Sequence, residues 1–100
     1  MDQHSPAFLE IEVDHHPMAF IYGLLKPTIV INGYKEKRNW GTHHFQVQPG
    51  YYHISISYPW IFDAECGKNS VSFTISAGEK RKINYRAPMI RYAPGKISIR

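Results

Sequence analysis

The chain has little cysteine, no long apolar run and no signal peptide, and each absence narrows the class of protein. Its single cysteine, Cys66, excludes an internal disulfide framework and a cysteine-rich zinc site, and is typical of a reducing compartment. No stretch approaches the roughly 20 apolar residues that span a bilayer. Residues 1–6 contain an aspartate but no lysine or arginine, whereas a signal peptide begins with positive charge. We therefore expect a soluble protein, with the cytoplasm favoured as its location.

Signatures of catalysis are also missing. The chain contains neither a G-x-S-x-G nucleophile motif nor a glycine-rich phosphate loop. Two pairs of carboxylates lie two residues apart, Glu10 with Glu12 on a predicted strand and Asp63 with Glu65 in a predicted loop. Such pairs are usually solvated, so we expect a non-enzymatic protein that binds no cofactor.

Six histidines raise the question of a metal site. His15-His16 and His43-His44 are adjacent pairs, and neighbouring residues on a strand point to opposite faces, so neither pair could chelate one ion. A site would need one member of each pair, and none of the usual structural-zinc spacings is present. We expect no bound metal and interpret the histidines as surface or turn residues.

Charge is segregated along the chain. Residues 1–25 carry four acidic residues and no lysine or arginine, whereas residues 80–100 carry seven basic residues and no acidic one. This asymmetry has two explanations: an anionic partner, or pairing of the first and last strands so that Glu10 and Glu12 face lysine and arginine across the ladder.

The remaining composition, 43% apolar and 14% aromatic over 100 residues, supports a single packed domain spanning 1–100. Its dominant periodicity is two, most clearly in 70–76, where three apolar residues alternate with serine and threonine. The same alternation predicts a core that includes Ile29, Ile31, Phe45, Val47, Ile54, Ile56, Val71, Phe73, Ile75 and Ile83.

Turn signals separate the apolar runs. Asn32-Gly33, Pro49-Gly50 and Ala77-Gly78 each follow a predicted strand, and the prolines fall between runs, Pro59 among them. Helical periodicity is absent. We therefore predict an all-β fold, a small antiparallel β-sandwich of about seven or eight short strands, immunoglobulin-like or prealbumin-like.

The run from Lys26 to Ile97 resembles the small prealbumin-like or PEGA-like β-sandwich modules of bacterial surface and envelope proteins. The matching features are Pro27 and Ile29–Ile31 into Asn32-Gly33, Trp40-Gly41, Pro49-Gly50 before Tyr52-His53-Ile54, Ala77-Gly78, and Tyr85-Arg86-Ala87-Pro88 before Gly95-Lys96-Ile97. The resemblance implies topology above all. It also implies a non-catalytic module of a kind that often lies beside a membrane anchor.

Two surfaces are candidates for binding, and they predict different partners. The first is the aromatic segment Tyr58–Phe62 with Trp40, which either forms an exposed patch for a protein partner or folds back to plug the sandwich. Its candidate residues are Tyr58, Trp60, Ile61, Phe62 and Trp40.

The second surface is basic. It would bind an anionic ligand, either nucleic acid or a membrane surface, through Lys35, Lys37, Arg38, Lys80, Lys82, Arg86 and Arg91. The simpler interpretation of these charges is that they serve solubility and strand pairing. We therefore expect an interaction or accessory domain that binds a protein through loops or a sheet edge, with the anionic ligand as the alternative.

Overall fold

The computed structural model describes residues 5–16, 25–60, 63–88 and 93–100, and every regular element in these ranges is a strand. The eight strands are β1 (Ala7–Asp14), β2 (Thr28–Ile31), β3 (Tyr34–Lys37), β4 (Gly41–Val47), β5 (Gly50–Trp60), β6 (Asp63–Ile75), β7 (Lys80–Arg86) and β8 (Lys96–Ile99). The all-β class is confirmed. Within the described ranges, no helix has the length and apolar character needed to cross a membrane.

The strands form two four-stranded sheets. The first has the order β4-β1-β7-β8 and the second the order β3-β2-β5-β6. All pairs are antiparallel except β1 with β7, which run parallel in the middle of the first sheet. The expectation that the first and last strands pair was wrong: β1 pairs with β7, where Glu10 lies opposite Lys82 but Glu12 lies opposite Asn84.

The core lies between the inner faces of the two sheets, where the alternating apolar residues meet. Six of the ten residues predicted for the core are buried: Ile29, Ile54, Ile56, Phe73, Ile75 and Ile83. The other four, Ile31, Phe45, Val47 and Val71, are partly buried and pack against that cluster. The β1 face formed by Ala7, Leu9, Ile11 and Val13 is also fully buried, so alternation identified the inward side correctly.

The hairpin of β5 and β6 is longer than the sequence indicated. Residues 63–69, interpreted as a polar loop, belong to β6, and Pro59 lies within β5 rather than between strands. The register shifts between Ile56 and Tyr58 and again between Tyr58 and Trp60, so extra residues of β6 bulge at these points. A bulge tolerates a proline and a glycine, which explains how this segment continues as a strand.

Gly67 lies in the first bulge, with φ of +61°. Two buried tyrosines pack against it: an ideal Cβ on Gly67 would lie 2.6 Å from Cε1 of Tyr58 and 2.8 Å from the hydroxyl oxygen of Tyr85. That hydroxyl donates a hydrogen bond of 2.7 Å to the Gly67 carbonyl, which also accepts from the Gly95 N–H at 2.8 Å. This cluster ties the second sheet to the connection that precedes β8.

Candidate protein-binding edge

Strand β4 is an outer strand of the first sheet, and its backbone directions follow from the register. The Phe8 N–H donates to the backbone carbonyl of Glu79, so Phe8 turns its backbone groups toward β7. Because these directions alternate along a strand, Ala7 and every second residue after it turn their N–H and C=O groups toward β4. Their partners on β4 include His43 and Phe45. The intervening Thr42, His44 and Gln46 therefore direct their backbone groups away from the sheet, and no described residue pairs with them. We call this row the β4 edge.

The β4 edge lacks the features that usually protect an outer strand. Its seven residues include no lysine, arginine, aspartate, glutamate or proline. By contrast, the outward residues of β3 are the two lysines Lys35 and Lys37, and β8 is only four residues long with Lys96 at its start. Charged residues and short length discourage pairing with another strand. Of these three outer strands, β4 is the one open to strand addition.

The remaining outer strand, β6, is also uncharged over 69–75, but some of its outward backbone groups already form hydrogen bonds within the chain. The Ser70 N–H donates to the side chain of its neighbour Asn69 at 2.8 Å. The carbonyl of Thr74 accepts from the Arg81 guanidinium at 3.4 Å, and the Gly67 carbonyl accepts from Gly95. Groups that already have partners offer less to an incoming strand, so β4 remains the stronger candidate.

A shallow pocket adjoins the β4 edge on the outer face of the first sheet. It has a volume of about 320 Å³ and is lined by Phe8, Leu9, His44, Phe45, Gln46 and Lys80. Phe8 is 41% exposed, which is high for a phenylalanine in a central strand. We call this the Phe8 pocket. A strand added to a sheet gains affinity from its backbone and specificity from pockets for alternate side chains, and both elements are present here.

Glu10 sets the electrostatics beside this pocket. Its carboxylate lies 3.2 Å from Lys80 Nζ, 3.8 Å from Lys82 Nζ and 3.9 Å from His44 Nδ1. The hydrogen bond from Lys80 is the largest influence and holds the pKa of Glu10 below the usual value for glutamate, against the opposing effect of desolvation. The lysines beside the pocket are therefore partly neutralised by β1.

Arg38 covers the other side of β4. Its guanidinium lies over the ring of Phe45, 4.9 Å from the centroid, and pairs with the Glu36 carboxylate at 2.9 Å. Because β3 and β4 belong to different sheets, this contact closes one open side of the sandwich. Arg38 is thus engaged in packing rather than in a basic patch.

The aromatic segment divides into a buried part and a part that lies outside the described residues. Tyr58 is fully buried and therefore does not belong to an exposed patch. Trp40 is partly buried, donates a hydrogen bond of 2.8 Å from Nε1 to the Leu25 carbonyl and packs at a tilt against Tyr58. Ile61 and Phe62, and the side chain of Trp60, lie outside the part of the chain that the structure describes.

The basic residues do not form one surface. Lys80, Lys82 and Arg86 lie on the outer face of the first sheet, as alternation indicated, but Lys35 and Lys37 lie on the outer face of the second sheet. The expectation that these residues form one basic surface was therefore wrong, because β3 pairs in the other sheet. Arg86 also pairs with Asp14 at 3.7 Å. Arg91 lies outside the described residues.

Histidine and carboxylate positions offer no metal centre in the described ranges, where no group of three or more potential ligands is close enough to hold an ion. His15 packs edge-on against Trp40, and the His53 ring shares a hydrogen bond with the Ser72 hydroxyl.

Comparison of the chain with protein-family models, curated proteins and solved structures found no match.

Sequence reasoning missed the residues that form the β4 edge. His44 entered it as a possible metal ligand, and Phe8 was assigned no functional role. The one available signal was the absence of charge over 41–47. That signal becomes informative only when β4 is known to be an outer strand.

Proposed function

We propose that this chain is a non-catalytic interaction domain that binds an extended segment of a protein partner by strand addition along β4. The observation that carries the proposal is the β4 edge: three alternate residues, Thr42, His44 and Gln46, whose outward backbone groups have no partner among the described residues, on a strand without charged side chains. An extended segment paired there would continue the first sheet by one strand.

The Phe8 pocket indicates what the segment carries. A side chain on the outer face of the added strand would lie next to His44 and Gln46 and could extend over them toward Phe8. Burial of the exposed Phe8 ring favours a long apolar or aromatic side chain at that position, since apolar area removed from water contributes roughly 25 cal/mol per Å². A strand with such a side chain would have one preferred register.

Two further observations support a binding module. The two packed sheets are compatible with the prealbumin-like or PEGA-like modules that the sequence resembles, and such modules are generally non-catalytic. The ion pairs of Lys80 and Lys82 with Glu10 on β1 favour protein binding over the alternative of nucleic acid or a membrane surface. A cation already paired with a carboxylate contributes less to binding of a polyanion.

The test places a lysine on β4 and, as a control, in the uncharged part of β6, residues 69–75. His44→Lys adds charge to the β4 edge, and Ser72→Lys is its matched control on β6. Wild type and Ser72→Lys should retain a partner from an extract of the natural host, and His44→Lys should lose it. In the isolated complex, hydrogen exchange at the amides of Thr42, His44 and Gln46 should slow.

The proposal would be contradicted if His44→Lys retained the same partner as wild type. It would also be contradicted if exchange at the three outward amides were unchanged in the complex. Denaturant unfolding of both variants, with midpoints close to that of wild type, establishes that the substitutions act on binding rather than on folding.

A further inference from the structure

A second feature lies at the opposite end of β7, where two cations face each other. Arg86 and Lys96 are directly paired across the antiparallel ladder of β7 and β8. Like charges in directly opposite positions destabilise a sheet, because their side chains leave the same face about 5 Å apart. An anion bound between the two cations would offset this repulsion.

The described carboxylates near Arg86 and Lys96 neutralise these two cations only in part. Asp14 is paired with Arg86 at 3.7 Å, beyond hydrogen-bonding distance, and both side chains are half exposed. Lys96 is exposed and forms no ion pair with a described carboxylate. The guanidinium and ammonium groups therefore keep donors available for an oxyanion.

A pocket of about 440 Å³ lies beside the two cations. Its lining consists of His16, Arg86, Ala87, Pro88, Ala93, Pro94 and Lys96. Three of these side chains bear nitrogen donors and four are small and apolar, while none of the described lining residues is acidic. We call this the Arg86–Lys96 pocket. Its volume falls within the range of small-molecule sites, and its lining combines an apolar surface with a few polar groups, as such sites do.

We propose that the Arg86–Lys96 pocket binds a small organic anion, an oxyanion such as a phosphate monoester or carboxylate attached to a compact apolar group. The oxyanion accepts hydrogen bonds from the Arg86 guanidinium and the Lys96 ammonium, and the apolar group packs against the alanine and proline side chains. Arginine suits this role because its planar fork matches the geometry of phosphate and carboxylate oxygens.

A larger groove adjoins the Arg86–Lys96 pocket, but its charges make it less suitable for an anion. That groove, of about 810 Å³, shares Arg86, Pro94 and Lys96 with the pocket but is also lined by Glu12 and Asp14 on its β1 side. Carboxylates repel an anion, so the ligand is held away from β1 and toward the connection between β7 and β8. This site is separate from the β4 edge and does not depend on the proposed function.

The experiment is a titration with phenyl phosphate, followed by NMR of protein labelled at the alanine methyl groups. Of the six alanines, Ala87 and Ala93 line the pocket, whereas Ala7 and Ala77 lie outside it and serve as internal controls. Phenyl phosphate should give saturable shifts at Ala87 and Ala93 and none at Ala7 and Ala77. Inorganic phosphate, which lacks the apolar group, should bind at least about tenfold more weakly.

Three variants that each remove one positive charge complete the test. Arg86→Gln and Lys96→Gln should each weaken phenyl phosphate binding about tenfold, the effect of losing one charge-assisted hydrogen bond. Lys35→Gln, on the outer face of the other sheet, should bind like wild type. Unchanged Ala7 and Ala77 signals in each variant show that the fold is retained.

Four results would overturn the proposal. They are shifts that do not saturate, shifts spread equally over all the alanines, equal affinity for phenyl and inorganic phosphate, and equal weakening by Lys35→Gln and the two pocket variants. The last result would mean that net charge alone attracts the anion.

Discussion

Three glycine-to-alanine substitutions separate the two reasons why a glycine is required in this fold. Gly78 has φ of +76° and open space around the position of a Cβ. Gly95 has no positive φ, but its Cβ would overlap the ring of the buried Tyr85. Gly67 combines both, with φ of +61° and three atoms within 2.8 Å. Alanine therefore tests backbone strain alone, steric overlap alone, and the two together.

The expected losses in the free energy of unfolding follow from these geometries. A left-handed conformation costs an alanine about 1–2 kcal/mol, so Gly78→Ala should lose about that amount. Overpacking of a core typically costs about 1–3 kcal/mol, and Tyr85 at 1% exposure has no room to move. Gly95→Ala should fall in that range. Gly67→Ala should lose about 2–5 kcal/mol, the sum of the two effects.

Urea unfolding measures these differences directly. At a slope of about 2 kcal/mol per molar, typical of a small domain, Gly67→Ala should lower the midpoint by roughly 1–2.5 M relative to wild type. An unchanged slope in all three variants confirms that stability alone has altered. If Gly67→Ala unfolded at the same urea concentration as Gly78→Ala, the tyrosine packing described around Gly67 would be wrong.

Three other predictions follow from contacts described above. Tyr85→Phe removes the 2.7 Å hydrogen bond to the Gly67 carbonyl and should lower the free energy of unfolding, measured in urea, by about 1 kcal/mol. The loss should be no larger, because the same carbonyl keeps its hydrogen bond from Gly95. No loss would mean that the hydrogen bond from Tyr85 contributes nothing. The pKa of Glu10 is lowered chiefly by Lys80. The contribution of this carboxylate to the free energy of unfolding is therefore fully present above the usual glutamate pKa and is lost as the pH falls through the lower native-state pKa. Glu10→Gln should therefore lose less stability than wild type when the pH is lowered. In Lys80→Gln, an NMR titration should show a higher pKa for Glu10 than in wild type. An unchanged pKa would exclude Lys80 as the cause. Trp40→Phe, which removes the hydrogen bond to Leu25, should lower the free energy of unfolding by about 1 kcal/mol, and an unchanged urea midpoint would show that this contact is dispensable.

Alternation along the chain was sufficient to predict which face of most strands turns inward, because each strand buries one face and the period of two is local. It placed Ile54 and Phe73 inside and Ser72 outside without knowledge of the strand order. The turn at Asn32-Gly33 was equally local, and both residues adopt the positive φ that this dipeptide favours.

The candidate site could not be predicted in the same way, because an edge is defined by the strands that are absent beside it. Whether Thr42 and His44 face solvent depends on β4 lying outside β1, and that order is set by contacts distant in sequence. The same reason explains the misplaced lysines of β3. The continuation of β6 through 63–69 escaped notice because bulges interrupt the alternation on which the strand prediction relied.

The parallel pairing of β1 with β7 has a consequence for synthesis of the chain. The second sheet is made from β2, β3, β5 and β6, all within Thr28–Ile75, so its strands can pair as soon as that stretch has emerged from the ribosome. The first sheet cannot, since β1 must wait for β7, more than seventy residues later, before it has neighbours on both sides. Non-local pairing of this kind slows folding. Until β7 arrives, the apolar face of β1 and the edge of β1 that β7 will cover remain exposed together, and this is the interval in which the nascent chain is most vulnerable to aggregation.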